Sequence, residues 1–263
     1  MKNQTNICME TSRSYKNRIR NSIAEFRLLI ESVPTLTFTL FVISVFSMNL
    51  MANKSITVPF NWLAVDCGLV VSWCVFLILD ILTKHFGPKA ATQLSIFATV
   101  LNLVLCAVFF IVSIIPGTWG ESYVSGSETI INTALNNTFG GTWYIILGSA
   151  TAFIIAAFVN NYINFFVGKA FERNPDSVIA YLCRSYISTA FAQFADNFIF
   201  SMLVSRVFFG WTLTQCITCS ILGMVVELLY EVIFSFFGYR ICEKWRKNEV
   251  GKEYLRQVNP VAE

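Results

Sequence analysis

The sequence predicts an all-α integral membrane protein of about six transmembrane helices, with both termini cytoplasmic. Three observations carry that prediction: an apolar composition, apolar stretches of membrane-spanning length, and a one-sided distribution of Lys and Arg. The 263 residues are 55% hydrophobic and 13% charged, with 25 Phe, whereas a soluble domain carries about 25% charged residues. So little charge cannot cover the surface of a soluble globule of this size. The formal net charge of +3 speaks about topology and not about nucleic acid, because the basic residues gather outside the apolar runs.

A helical crossing needs about 20 mostly apolar residues. Pro34 to Ala52 is the first such stretch. A polar, basic arm of residues 1–33 precedes it, and it lacks the short core and cleavage site of a signal peptide, so it is expected to be retained. Trp62 to Leu82 and Ala91 to Ile115 follow. Pro116 to Thr142 is then a long outer loop without Lys or Arg. Within it, Ser127 to Asn136 is expected as a short surface helix and Phe139-Gly140-Gly141 as a turn, so the loop reads either as a lid or as a plain connector. Trp143 to Val167, Tyr186 to Phe208 and Trp211 to Phe237 complete six spans in a transmembrane domain of residues 34–240, with residues 241–263 as a cytoplasmic tail. Seventeen of the 19 Lys and Arg fall in the arm, the tail and the two loops on the same side, leaving Lys54 and Arg206 on the other. The positive-inside rule makes the rich side cytoplasmic, and an even number of spans follows.

Eight cysteines do not read as a disulfide framework, because Cys67, Cys74, Cys106, Cys216 and Cys219 fall inside spans, where a thiol serves as a small apolar side chain. The pair Cys216 and Cys219 has the C-x-x-C spacing but no second pair, and the chain's only His is His85, so no metal site is read there. Nothing in the sequence calls for a cofactor, and no phosphate-binding loop is present.

Ionisable side chains at membrane depth cost several kcal/mol and mark functional sites. Here they are Asp66, Asp196, Glu227 and Glu231, with Asp80 at the inner end of the second span. All are acidic, and no deep Lys or Arg balances them, which points to protonation, a cationic ligand, or a coupling proton or other ion. Steps of three and four residues place Ser188, Ala192, Gln193, Asp196, Asn197 and Phe200 on one half of the fifth span. Asp196 lies about 12 residues, or ~18 Å, from Arg184 and so near mid-membrane. The sixth span carries a second stripe, Cys216, Ser220, Gly223, Glu227, Tyr230 and Glu231, and the fourth offers Asn160, Asn161 and Asn164 beside Ala152 and Ala156. Carboxylates and amides among aromatics suit a flat heterocycle: an acid accepts two parallel hydrogen bonds from an N–H and amino edge, and Trp73 or Phe200 can stack on the ring.

Four segments carry a resemblance. These are Asn49-Leu-Met-Ala-Asn-Lys54, Asp80-Ile-Leu-Thr-Lys-His-Phe-Gly-Pro-Lys89, the stretch from Arg184-Ser-Tyr-Ile-Ser-Thr189 to Gln193-Phe-Ala-Asp-Asn-Phe-Ile-Phe200, and Glu227-Leu-Leu-Tyr-Glu231 ending in Gly238-Tyr-Arg240. In order and spacing they resemble the VUT, or queuosine precursor transporter, family over roughly Pro34 to Lys244. The resemblance implies a multi-pass protein of the bacterial cytoplasmic membrane that takes up 7-cyano- and 7-aminomethyl-7-deazaguanine, with a fold like the substrate-binding subunits of energy-coupling factor transporters. By position it assigns importance to Asp80, Gln193, Asp196 and Glu231. The chain departs from the pattern at Lys84, where family members often carry an acid. The function expected is thus import of a 7-deazaguanine base or a related small molecule across the lipid bilayer. The alternatives are a binding subunit of a multi-component vitamin transporter and a membrane-embedded enzyme using the paired acids Glu227 and Glu231.

Overall fold

The computed structural model describes residues 20–120, 128–171 and 178–258. Its helices are α1 (Arg20–Ser32), α2 (Thr35–Met51), α3 (Leu69–Phe86), α4 (Pro88–Ile114), α5 (Glu128–Ala170), α6 (Val178–Phe200), α7 (Arg206–Phe209), α8 (Leu213–Lys247) and α9 (Lys252–Val258), with a π-helical turn, Ser201–Ser205, joining α6 to α7. Five units are long and apolar enough to cross a membrane: α3, α4, α5, α6 with α7, and α8. The sixth candidate is α1 with α2, a pair bent by 102°. The protein is therefore an all-α integral membrane protein. The bend falls at Val33-Pro34, where proline lacks the N–H that would continue the helix and disfavours helical geometry in the residue before it. α2 alone has 17 residues, about 25 Å of helix.

Three features differ from the sequence expectations. The second span begins at Leu69 and not Trp62, because the chain first makes a two-stranded antiparallel hairpin, β1 (Ser55–Ile56) and β2 (Val65–Asp66), which pairs Ser55 with Asp66. The Gly140-Gly141 pair does not make a turn: α5 runs unbroken for 43 residues, about 65 Å and far beyond a bilayer core of about 30 Å. Gly140 serves close approach instead, since a Cβ there would lie 2.7 Å from the Ser113 hydroxyl of α4. Finally, α8 continues to Lys247, ten residues beyond the apolar stretch. Its start is fixed by a reciprocal capping box, with the Thr212 side chain on the Gln215 N–H and the Gln215 side chain on the Thr212 N–H.

α3 and α4 join through Gly87 alone, at φ 91°, a left-handed backbone that glycine adopts without penalty. Pro88 then opens α4, where its missing N–H costs nothing. Around this corner sits a core formed by the arm and the tail: Leu29 of α1 and Tyr254 of α9 are fully buried against Phe86 and Trp245. Lys89 pairs with Glu25 at 2.5 Å, and His85 Nε2 lies 2.9 Å from the Val250 carbonyl. Both ends of the described chain thus close one end of the bundle.

Candidate substrate cavity

A cavity of about 270 Å³ opens between α3, α5, α6 and α8, near the lower end of the size range of small-molecule sites. α3 contributes Trp73, Phe76, Asp80 and Lys84; α5 contributes Phe153, Ala156 and Asn160; α6 contributes Thr189, Gln193 and Asp196; α8 contributes Glu227, Tyr230 and Gly238. The spacing explains the gathering. Thr189, Gln193 and Asp196 follow steps of four and three, as do Trp73, Phe76 and Asp80, so each set faces one way. Ala156, Ala157 and Ala192 keep the walls thin.

The polar atoms are distributed unevenly. Glu227, buried to 4% exposure, accepts a hydrogen bond from the Asn197 amide at 3.1 Å, and the same amide donates to the Gln193 carbonyl at 2.9 Å. That geometry depends on Gly223 of α8, because a Cβ there would lie 2.9 Å from the Asn197 amide atoms. By contrast, Asn160 Oδ1, Gln193 Oε1 and Asp196 Oδ1 are buried acceptors with no hydrogen-bond partner among the described residues. An unsatisfied buried group costs about 1–3 kcal/mol, so these three acceptors are costly as they stand. At the end carrying α1 and α9, Asp80 and Lys84 form an ion pair at 3.5 Å. Lys84 therefore balances Asp80. Trp73 borders the cavity while stacking on Phe234 at 4.7 Å between ring centroids.

Of the sequence-predicted residues, Asp80, Trp73, Asn160, Gln193, Asp196 and Glu227 border this cavity. Asp66 and Asn197 border a second one of about 60 Å³, as does Phe200, which is thus not a wall of the main cavity. Asp66 is not within a span: it ends β2, and its Oδ1 accepts from the Gly68 N–H at 2.8 Å, tying down the chain before α3. The side chains of Asn161, Asn164 and Glu231 lie outside the described residues. Sequence reasoning did not single out Phe76 or Phe153, quoted Thr189 only within a resembling segment, and left a role for Lys84 in doubt. It also passed over Asn49, Ser149 and the polar stripe Ser95, Thr99 and Asn102, which border a third cavity of about 80 Å³. The signal for that stripe was present, since three polar side chains at steps of four and three stand out in so apolar a helix. Asp196 and Phe76 border all three cavities.

Comparison with curated proteins and with solved structures returns no match. Residues 66–241 match a family described as putative vitamin uptake transporter. The matched segment begins at the hairpin, contains every wall of the main cavity, and leaves out α1, α2 and α9. Covering two thirds of the chain, the match shows that this multi-pass membrane protein belongs to the putative vitamin uptake transporter family, a family of small-molecule transporters.

Proposed function

We propose that the protein imports queuosine precursors, 7-deazaguanine bases, through the main cavity. The observation that carries this reading is the set of buried acceptors without partners, Asn160 Oδ1, Gln193 Oε1 and Asp196 Oδ1, lying between aromatic walls. A 7-deazaguanine presents ring N–H and amino donors along its edges and a flat ring between them, so it can supply what those acceptors lack while its faces meet Trp73, Phe76, Phe153 or Tyr230. An aminomethyl group adds a cation, for which Asp196 and Glu227 provide the charge. Asp80 is already matched by Lys84, which leaves the deeper acids to the ligand. In this reading both termini are cytoplasmic, as the Lys and Arg distribution implies.

The test is uptake by the purified chain alone in liposomes, using labelled 7-aminomethyl-7-deazaguanine with unlabelled 7-cyano-7-deazaguanine, guanine and adenine as competitors. We expect accumulation that 7-cyano-7-deazaguanine suppresses and adenine, which lacks the guanine donor edge, does not. Equal suppression by all three competitors overturns the specificity. Binding without accumulation supports instead a subunit that requires partner proteins.

A further inference from the structure

We propose that the third cavity, between α2, α3, α4 and α5 and touching Asp196 of α6, is a binding site for a monovalent hard cation of sodium's class. Asn102 is fully buried in α4, yet both its Oδ1 and its Nδ2 lack partners among the described residues, and so does Ser95 Oγ two turns earlier on the same face. α4 is the most apolar of the five candidate spans, so a buried polar stripe there is costly unless something fills the space it borders. Asn49 from α2, Ser149 from α5 and Asp196 from α6 meet that stripe at the cavity.

The donor set decides the kind of occupant. It offers neutral hydroxyl and amide oxygens and one carboxylate, which are hard ligands carrying a single negative charge. A monovalent cation makes this assembly neutral; a divalent one leaves a net charge in an apolar interior. A proton on Asp196 satisfies at most one neighbouring acceptor and leaves the rest of the Asn102 and Ser95 groups unpaired, so it accounts for less. About 80 Å³ has room for an ion with water, which serves the Asn102 Nδ2 donor. Because Asp196 also borders the main cavity, ion and substrate share one carboxylate, and each then alters the affinity of the other by the same factor. That coupling rests on the import reading; the ion site does not.

Thermal unfolding of the purified full chain in detergent, without any base, tests the site. Tm is measured in sodium, potassium and choline chloride at equal ionic strength. We expect a saturable rise of several degrees in sodium over choline. Asn102→Leu preserves volume and removes the ligand, so it should abolish the sodium response while leaving Tm in choline equal to or above the parent's. Ser95→Ala should weaken the response and serves if Asn102→Leu does not fold. Identical Tm in all three salts overturns the proposal, as does a sodium response that both variants retain. With no base present, neither result depends on what the protein imports.

Discussion

At Asp196 three cavities meet, and one of its carboxylate oxygens is buried without a partner among the described residues. Asp196→Asn keeps the shape and removes the anion, whereas Asp196→Glu keeps the anion and displaces it by one methylene. Charged hydrogen bonds contribute about 1.5–3 kcal/mol, so Asn should weaken binding of the aminomethyl base on the order of 10-fold to 100-fold, and Glu should retain part of the uptake. Equilibrium binding followed by uptake in liposomes reads both. Gln193 offers a neutral acceptor, Oε1, also without a partner among the described residues. Gln193→Leu should weaken binding about 2-fold to 10-fold, a neutral hydrogen bond being worth about 0.5–1.5 kcal/mol. In the empty protein the same change removes an unsatisfied group, so Tm in the absence of base should not fall. Gln193, Asp196 and Glu227 were legible in the sequence because charge and amides are rare in an apolar span. Phe76 was not, since at 15% aromatic content a phenylalanine three residues from Trp73 looks like its many neighbours.

Helices bring these residues together through small side chains as much as through polar ones. Gly223 admits the Asn197 amide against α8, and Asn197 in turn donates to Glu227. Gly223→Ala must displace that amide and take the Asn197 donor from Glu227, so both stability and base affinity should drop. In an Asn197→Ala background the alanine at 223 no longer meets those amide atoms and should cost less. A double-mutant cycle on Tm measures the difference, expected between about 0.5 and 3 kcal/mol for groups in direct contact. The spans themselves were legible, because burial in lipid demands long apolar runs. Their ends were not. α5 and α8 run past the apolar stretches into polar sequence, where hydropathy is silent and local hydrogen bonding decides. The hairpin of β1 and β2 was hidden for a related reason: Trp62 to Asp66 is apolar enough to read as the start of a span, while Val65 and Asp66 pair with Ile56 and Ser55, and the Cys67 N–H donates to the Lys54 carbonyl.

Over the whole molecule, the arm and the tail were expected as polar extensions, and nothing in their composition announces that Leu29 and Tyr254 are fully buried together. That core closes the end of the bundle at which the main cavity reaches Asp80 and Lys84. The second cavity lies toward the other end, beside Ala52, Val65 and Asp66, and Phe76 and Asp196 stand between the two. Alternating access would pass a base from the small outer space to the large inner one across those two residues. With cytoplasmic termini, the main cavity faces the cytoplasm. Single cysteines in a background without the eight native thiols test orientation and access together. Lys252, in α9, has a side chain 43% exposed and pairs with Glu249 on the surface, so its replacement costs about 1 kcal/mol or less. An impermeant thiol reagent should leave Lys252→Cys unmodified in intact cells and modify it in inside-out vesicles, whereas Lys54→Cys, in the turn before β1, should show the reverse. Lys84→Cys should follow Lys252→Cys, and the imported base should slow its modification because position 84 borders the cavity. Modification of Lys252→Cys in intact cells would invert the topology, and a Lys84→Cys rate indifferent to base would place the ligand elsewhere.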